Sequence, residues 1–274
     1  MRIVLSIAAM IIAAAVAAAV AGTAAWHRAT DAAVAGLVPG AAGTYSAASL
    51  DTLPAPAARY FGRVLRDGQP LVRSAVVTTD AEFFINDAWR PLQATQVFVT
   101  SPAGFVWDAR ISMAPFMPAY VRDSYVAGTG TMTASLLGVY SLVDQSAIPE
   151  LNAGALQRFL GEAIWLPTAL LPSASVVWTA RDDLSATVTL ADRGTSVSLL
   201  YRIDPDGLLT SISGDRYKES NGTYTLQPWQ IHCAEHAERD GMTIPLQCEV
   251  AWIYGGRSEP YWRGRVTSVS YRYN

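Results

Sequence analysis

The chain has 274 residues, about half of them apolar and 16% charged, with a formal net charge of −3 and no run of five or more Lys or Arg. That length fits one large domain or two small ones, and the apolar share is enough for a sizeable core. A nucleic-acid partner needs a basic stripe; none is present, and that class is excluded.

The first element is a leader. Arg2 precedes an uncharged Ala/Ile/Val run from Ile3 to about Ala21, followed by "GTAAWHR". The run approaches the roughly 20 apolar residues a spanning helix needs, while the small residues at Gly22 to Ala25 permit cleavage. Residues 1–25 are therefore expected as a signal peptide or an N-terminal transmembrane anchor, and either puts the rest of the chain outside the cytoplasm. Residues 26–52 read as an Ala/Gly-rich linker, and 53–274 as a single β-rich domain.

Pro54 and Pro56 introduce a short amphipathic helix near Ala57–Leu65. From Leu71 the apolar period changes from 3.6 to 2. "FVWDARI" puts Phe105, Trp107, Ala109 and Ile111 on one face and Val106, Asp108 and Arg110 on the other. "QATQVFVT", "SPAG" and this strand make a hairpin. "DSYVAGTGTMTASLLGVYSLVD" follows, with Asp123 and Tyr125 on one face. A long strand is expected over Thr129–Val143, with Gly128, Gly130 and Gly138 marking bends or bulges.

A helix is expected over Gly154–Leu166, with Asn152 as its N-cap and Pro167 as its stop. Leu156, Phe159, Leu160, Ala163 and Ile164 form one apolar face. Arg158, Glu162 and Trp165, at i, i+4 and i+7, form a second stripe beside it. The Arg–Glu pair reads either as a surface salt bridge worth about 0.3–0.5 kcal/mol, as a seat for a polar head group, or as an acid/base pair.

The remaining strands, from "VVWTA" to "VTSVSYRY", are separated by tight turns and form an antiparallel meander. An Asp240-Gly241 turn pairs Arg239 with Met242, which brings Cys233 opposite Cys248 and Pro245 opposite His236. A cross-strand disulfide and two buried thiols both remain open, and an exported location would let a disulfide persist.

Several strands are apolar on both faces. The fold class expected is therefore mostly β, with some helix: a strongly curved antiparallel sheet or half-barrel wrapping one central amphipathic helix, able to enclose a cavity. Aromatic candidates for its lining are Trp107, Trp165, Trp178 and Trp252.

Other chemistry finds little support. "GTG" lacks the third glycine and following helix of a dinucleotide loop. His232 and His236 sit about 13 Å apart on a strand, too far for one metal. No Gly-x-Ser-x-Gly elbow exists. No metal or cofactor is expected.

"LPAPAARYF", "GFVWDARI", "DSYVAGTGTM", "LQRFLGEAIWLPTALLP", "GDRY" and "IPLQCEVAWIYGG" occur in an order that resembles the DUF6544 (formerly DUF6920) family of uncharacterised bacterial proteins, over Leu53 to Tyr273. The residues matching its pattern are Trp107, Arg110, Asp123, Tyr125, Gly128, Gly130, Arg158, Glu162, Trp165, Pro167 and Arg216. The resemblance implies an exported domain behind a membrane segment and brings no catalytic residues. The architecture is also similar to lipoprotein-carrier domains of the LolA/LolB type.

The expectation is an envelope protein that binds an apolar or amphiphilic, lipid-like ligand. Arg158, Glu162, Trp165, Asp123, Tyr125, Trp107 and Arg110 are the ligand-binding candidates. The alternatives are a structural or partner-binding module, and an envelope enzyme using Glu162 and Arg158.

Overall fold

The computed structural model describes residues 2–274; the side chains of Arg2 and Val4 lie outside the described residues. Helix α1 (Arg2–Ala35) opens the chain, and α2 (Ala55–Val64) follows a short 3-10 turn at Ala47–Thr52. A first meander comprises β1 (Ser74–Ile85), β2 (Ala88–Val99), β3 (Gly104–Ala114), β4 (Met117–Val126), β5 (Thr129–Leu136) and β6 (Tyr140–Ser146). Helix α3 (Pro149–Glu162) and 3-10 turns at Ala163–Trp165 and Pro167–Leu170 come next. The second meander comprises β7 (Val176–Asp182), β8 (Ser185–Asp192), β9 (Thr195–Ile203) and β10 (Leu209–Ser220). It ends with β11 (Thr223–Arg239), β12 (Met242–Tyr254) and β13 (Arg257–Arg272).

The two meanders join through β1 and β13, whose pairing runs from Ser74 opposite Arg272 to Phe83 opposite Trp262. The result is one sheet of 13 strands in the order β6-β5-β4-β3-β2-β1-β13-β12-β11-β10-β9-β8-β7, with antiparallel pairing at every described junction. An antiparallel sheet this wide with apolar residues on its inner face curls to bury them. Helix α3 links the edge strands β6 and β7 and packs on β3, β4 and β5 from one half and β8, β9 and β10 from the other. The expected half-barrel around a central helix is the observed fold. Leu156, Phe159 and Leu160 on α3, with Phe98, Phe105 and Leu199 from the sheet, are buried in its core. Tyr60 and Phe61 of α2 pack their rings against Trp178.

Three local expectations are corrected. Helix α3 starts at Pro149, five residues before Gly154, because proline favours the first helical turn. Asn152 therefore lies within the helix, where its Oδ1 accepts the Gly130 N–H at 2.7 Å instead of capping. The long strand over Thr129–Val143 is two strands, β5 and β6, because Leu137 and Gly138 adopt φ of 58° and 70° and reverse the chain.

The stretch read as a linker from residue 26 is helical to Ala35. Alanine-rich sequence favours helix, and this part of α1 is held on the outer face of β3 and β4. The Trp26 Nε1 donates to Asp108 Oδ1 at 2.7 Å, the Arg122 guanidinium lies 4.6 Å over the Trp26 ring, and its Nη1 donates to Thr30 Oγ1 at 3.0 Å. Earlier in α1, the side chains from Leu5 to Ile12 are exposed. The helix is long and apolar enough, over Leu5–Ala35, to cross a membrane.

Candidate functional site

Between α3 and the concave face of the sheet lies a cavity of about 1090 Å³. Phe83, Ile111, Met132, Val250, Trp107 and Trp252 contribute to its wall. The inner end is lined by Ile164, Trp165, Ile231 and Cys248, all buried, and the outer end by Phe84, Glu219 and Glu259, all exposed. Trp165 is fixed there by its Nε1, which donates to the Pro245 carbonyl at 3.1 Å. The Tyr271 hydroxyl donates to the Trp165 carbonyl at 2.8 Å.

One polar cluster interrupts this wall. Arg158 donates from Nη1 to Asp123 Oδ2 at 2.7 Å and from Nε to Glu162 Oε1 at 2.9 Å. Gln96, which no sequence pattern singles out, donates from Nε2 to Glu162 Oε2 at 2.7 Å. The guanidinium lies 4.5 Å over the Trp107 ring. Little of the cluster meets solvent: 16% of the Arg158 side chain is exposed and 5% of that of Asp123. Burial disfavours the Arg158 charge, but Glu162 and Asp123 outweigh that and hold its pKa above the ordinary arginine value. The surface salt-bridge reading of Arg158 and Glu162 is thus corrected: both are largely buried in the cavity wall, because the curl of the sheet brings Asp123 over the helix.

Of the sequence candidates, Trp107, Asp123, Arg158, Glu162, Trp165 and Trp252 meet at the cavity. Three do not. Tyr125 shares the inner face of β4 with Asp123 but is wholly buried, and its hydroxyl donates to Asp192 Oδ2 at 2.9 Å. Arg110 points from the outer face into a separate hollow of about 580 Å³ beside α1, together with His27, Asp108 and Tyr120. Strand alternation dictates this, since Arg110 lies an odd number of positions from Trp107. Trp178 fills core between α2 and Tyr201.

Arg216 joins the cavity lining. Its Nη2 donates to the Gly154 carbonyl at 3.2 Å and its guanidinium lies 5.3 Å over Trp229. Its Nε is buried with no hydrogen-bond partner among the described residues. Two positions along, Lys218 bonds the Tyr254 hydroxyl and lies 5.4 Å from the Trp252 ring centre. Among the described residues no three His, Cys, Asp or Glu side chains cluster as a metal site would require.

The cysteine register is as counted, with Cys233 opposite Cys248, His236 opposite Pro245 and Arg239 opposite Met242. Both are free thiols, with sulfurs 3.9 Å apart.

The match to the model of a family of unknown function, DUF6920, spans residues 51–271. The chain belongs to that family. The match covers nearly all of the β-rich region. No curated protein matches the chain. Among solved structures it is similar to a DUF1329 family protein from Desulfovibrio piger, at 9% identity and a TM-score of 0.44, covering 82% of this chain and 92% of that one. It is also similar to a LolA superfamily protein from Nitrosomonas europaea, at 10% identity and a TM-score of 0.42, covering 83% and 94% respectively.

Proposed function

We propose that this DUF6920 protein is an envelope protein that holds a lipid-like amphiphile in the cavity between α3 and the curved sheet, with α1 as its membrane anchor. The observation that carries the proposal is the cavity itself. Its volume of about 1090 Å³ is slightly above the usual range for small-molecule sites, and its wall is mainly aromatic and aliphatic. An acyl chain laid along such a wall gains dispersion contacts and removes apolar surface from water.

The polar groups have separate parts in this reading. Asp123, Arg158, Glu162 and Gln96 satisfy one another, so an apolar tail passes them without stranding a charge. Arg216 lines the cavity and has no carboxylate partner among the described residues, which suits an oxygen-rich head group. The acid/base alternative is weakened by the same geometry, since both Glu162 oxygens already accept hydrogen bonds. General acid/base work needs a carboxylate within reach of substrate.

Native mass spectrometry of the detergent-extracted protein should find a co-purifying lipid. Val121→Trp together with Val250→Trp, both on the cavity wall, should expel it and abolish enhancement of a fluorescent fatty-acid probe. A wild-type protein that carries no lipid and binds no such probe would end this reading.

A further inference from the structure

We propose that the cavity opens toward the membrane, so that its ligand passes directly between bilayer and cavity beside the apolar β3–β4 and β5–β6 turns. The inference deepens the lipid-binding reading and rests on α1 spanning the membrane.

The direction follows from how α1 lies on the sheet. Gly22 meets the β5–β6 turn so closely that a Cβ there would sit 2.5 Å from the Gly138 carbonyl oxygen. Trp26 reaches Asp108 in the middle of β3, and Thr30 reaches Arg122. Gly36 then lies beside Val126 at the end of β4, and Leu37 beside Gly104 at the start of β3. From Gly22 to Ala35 the helix covers about 20 Å along the strands, pinned at several points. The preceding 20 residues continue past the end of the sheet that carries the β5–β6 turn, for about 30 Å, the thickness of a bilayer core.

The corner of that end beside α1 is apolar. The β3–β4 turn lies next to the β5–β6 turn, with the Leu137 N–H donating to the Pro118 carbonyl at 2.9 Å. Phe116 on the β3–β4 turn is 97% exposed, and Met117, Val139, Tyr140 and Leu142 are exposed around it. Phe84 is exposed near the β1–β2 turn, which the Arg90 Nη1 bond to the Met113 carbonyl holds beside β3. Singly exposed apolar residues are ordinary, but a cluster beside a spanning helix is where a lipid surface would lie.

The cavity opens at this same end. Its lining includes Phe84 and Ile85 at the end of β1, Ile111 near the end of β3 and Val121 near the start of β4. Ser258 and Glu259, just after the β12–β13 turn, complete this side, because Phe83 pairs with Trp262. The opposite end is shut by α2 and the segment after it: Arg59 Nε donates to the Asp204 carbonyl at 3.1 Å, and Arg66 pairs with Glu238 at 2.5 Å. A rigid strut thus holds the open end against the bilayer and the closed end away from it.

The full chain, with both native cysteines replaced by alanine, is reconstituted in phosphatidylcholine/phosphatidylglycerol vesicles. Single cysteines at Phe116→Cys, Val139→Cys and Asp206→Cys carry an environment-sensitive fluorophore; Asp206 lies on the exposed β9–β10 turn at the closed end. The labels at 116 and 139 are expected to shift to the blue and to be quenched by spin-labelled lipid, and the label at 206 to stay in water. Water-exposed labels at 116 and 139, or quenching at 206, would overturn the orientation. Hydrogen exchange on the unaltered chain tests the same orientation without substitutions: amides 116–117 and 137–140 should gain protection in vesicles, and 206–207 should not. An intact mass showing a membrane-released chain that begins near Trp26 also overturns it. Rim insertion without bound lipid leaves the orientation standing and removes the cavity reading; bound lipid without rim insertion does the reverse.

Discussion

The Tyr125 hydroxyl on β4 donates to Asp192 Oδ2 at the end of β8, 2.9 Å away. Eight strands separate β4 from β8 in the sheet order, so this bond spans the gap that the curl leaves open behind α3. A hydrogen bond from a buried phenol to a carboxylate contributes about 1–2 kcal/mol. Tyr125→Phe should lower the unfolding free energy by that amount in urea titrations, with the m-value unchanged.

The buried phenols also set an alkaline limit. Burial, then the neighbouring Asp192, holds the Tyr125 pKa above the ordinary value; burial does the same for Tyr271. Tyr273 is pushed up to about 12 by burial and by Asp240. Each folded pKa exceeds the unfolded value of about 10. The associated stability is therefore full below pH 10 and is lost as pH rises through the folded values. Melting temperatures should be level from about pH 8 to 10 and fall from about 10 to 12, and Tyr125→Phe should reduce that fall.

Arg158 matters for stability because of what its loss would strand. The Asp123 side chain is only 5% exposed, and its ion-pair partner is Arg158. Arg158→Met should cost about 3–5 kcal/mol, since an uncompensated carboxylate stays buried. Adding Asp123→Asn and Glu162→Gln should recover a large part of that loss. If the triple variant is no more stable than Arg158→Met, the charge-stranding account fails.

Cys233 and Cys248 are placed to bridge. The hydrogen bond with Cys233 and burial raise the Cys248 pKa well above the usual thiol value, so Cys248 is a poor attacking thiolate at neutral pH. Diamide at about pH 9 should produce an intramolecular disulfide, read as the loss of two hydrogens by mass and of both reactive thiols. Closing a loop of roughly 15 residues should raise stability by about 3 kcal/mol. Stability that drops on oxidation would mean the strands must distort to bridge.

What the sequence made legible divides along local and non-local lines. The Asp240-Gly241 turn carries its own chemistry, so the cysteine register could be counted from it alone. The β5–β6 reversal was missed because only Gly138 hints at a turn, while Leu137 takes its positive φ against its own preference. Arg158 and Glu162 were found from helical spacing, but whether they face solvent depends on Asp123, 35 positions earlier. Gln96 left no signal, since an alternating strand places many glutamines like it in water. Tyr125 shows the converse: same-face alternation placed it correctly, and only the global curl decided that Asp192, not a ligand, would meet its hydroxyl.

The seam between β1 and β13 bears on when the protein can fold. Arg257–Arg272 leave the ribosome long after Ser74–Phe83, yet they supply one whole side of the hydrogen-bond ladder for that earlier strand. Until they arrive, β1 remains an unpaired edge open to neighbouring chains. Acquisition of the half-barrel is therefore a late event for a chain that emerges β1 first, and that early edge stays open until the last strand of the chain has been made.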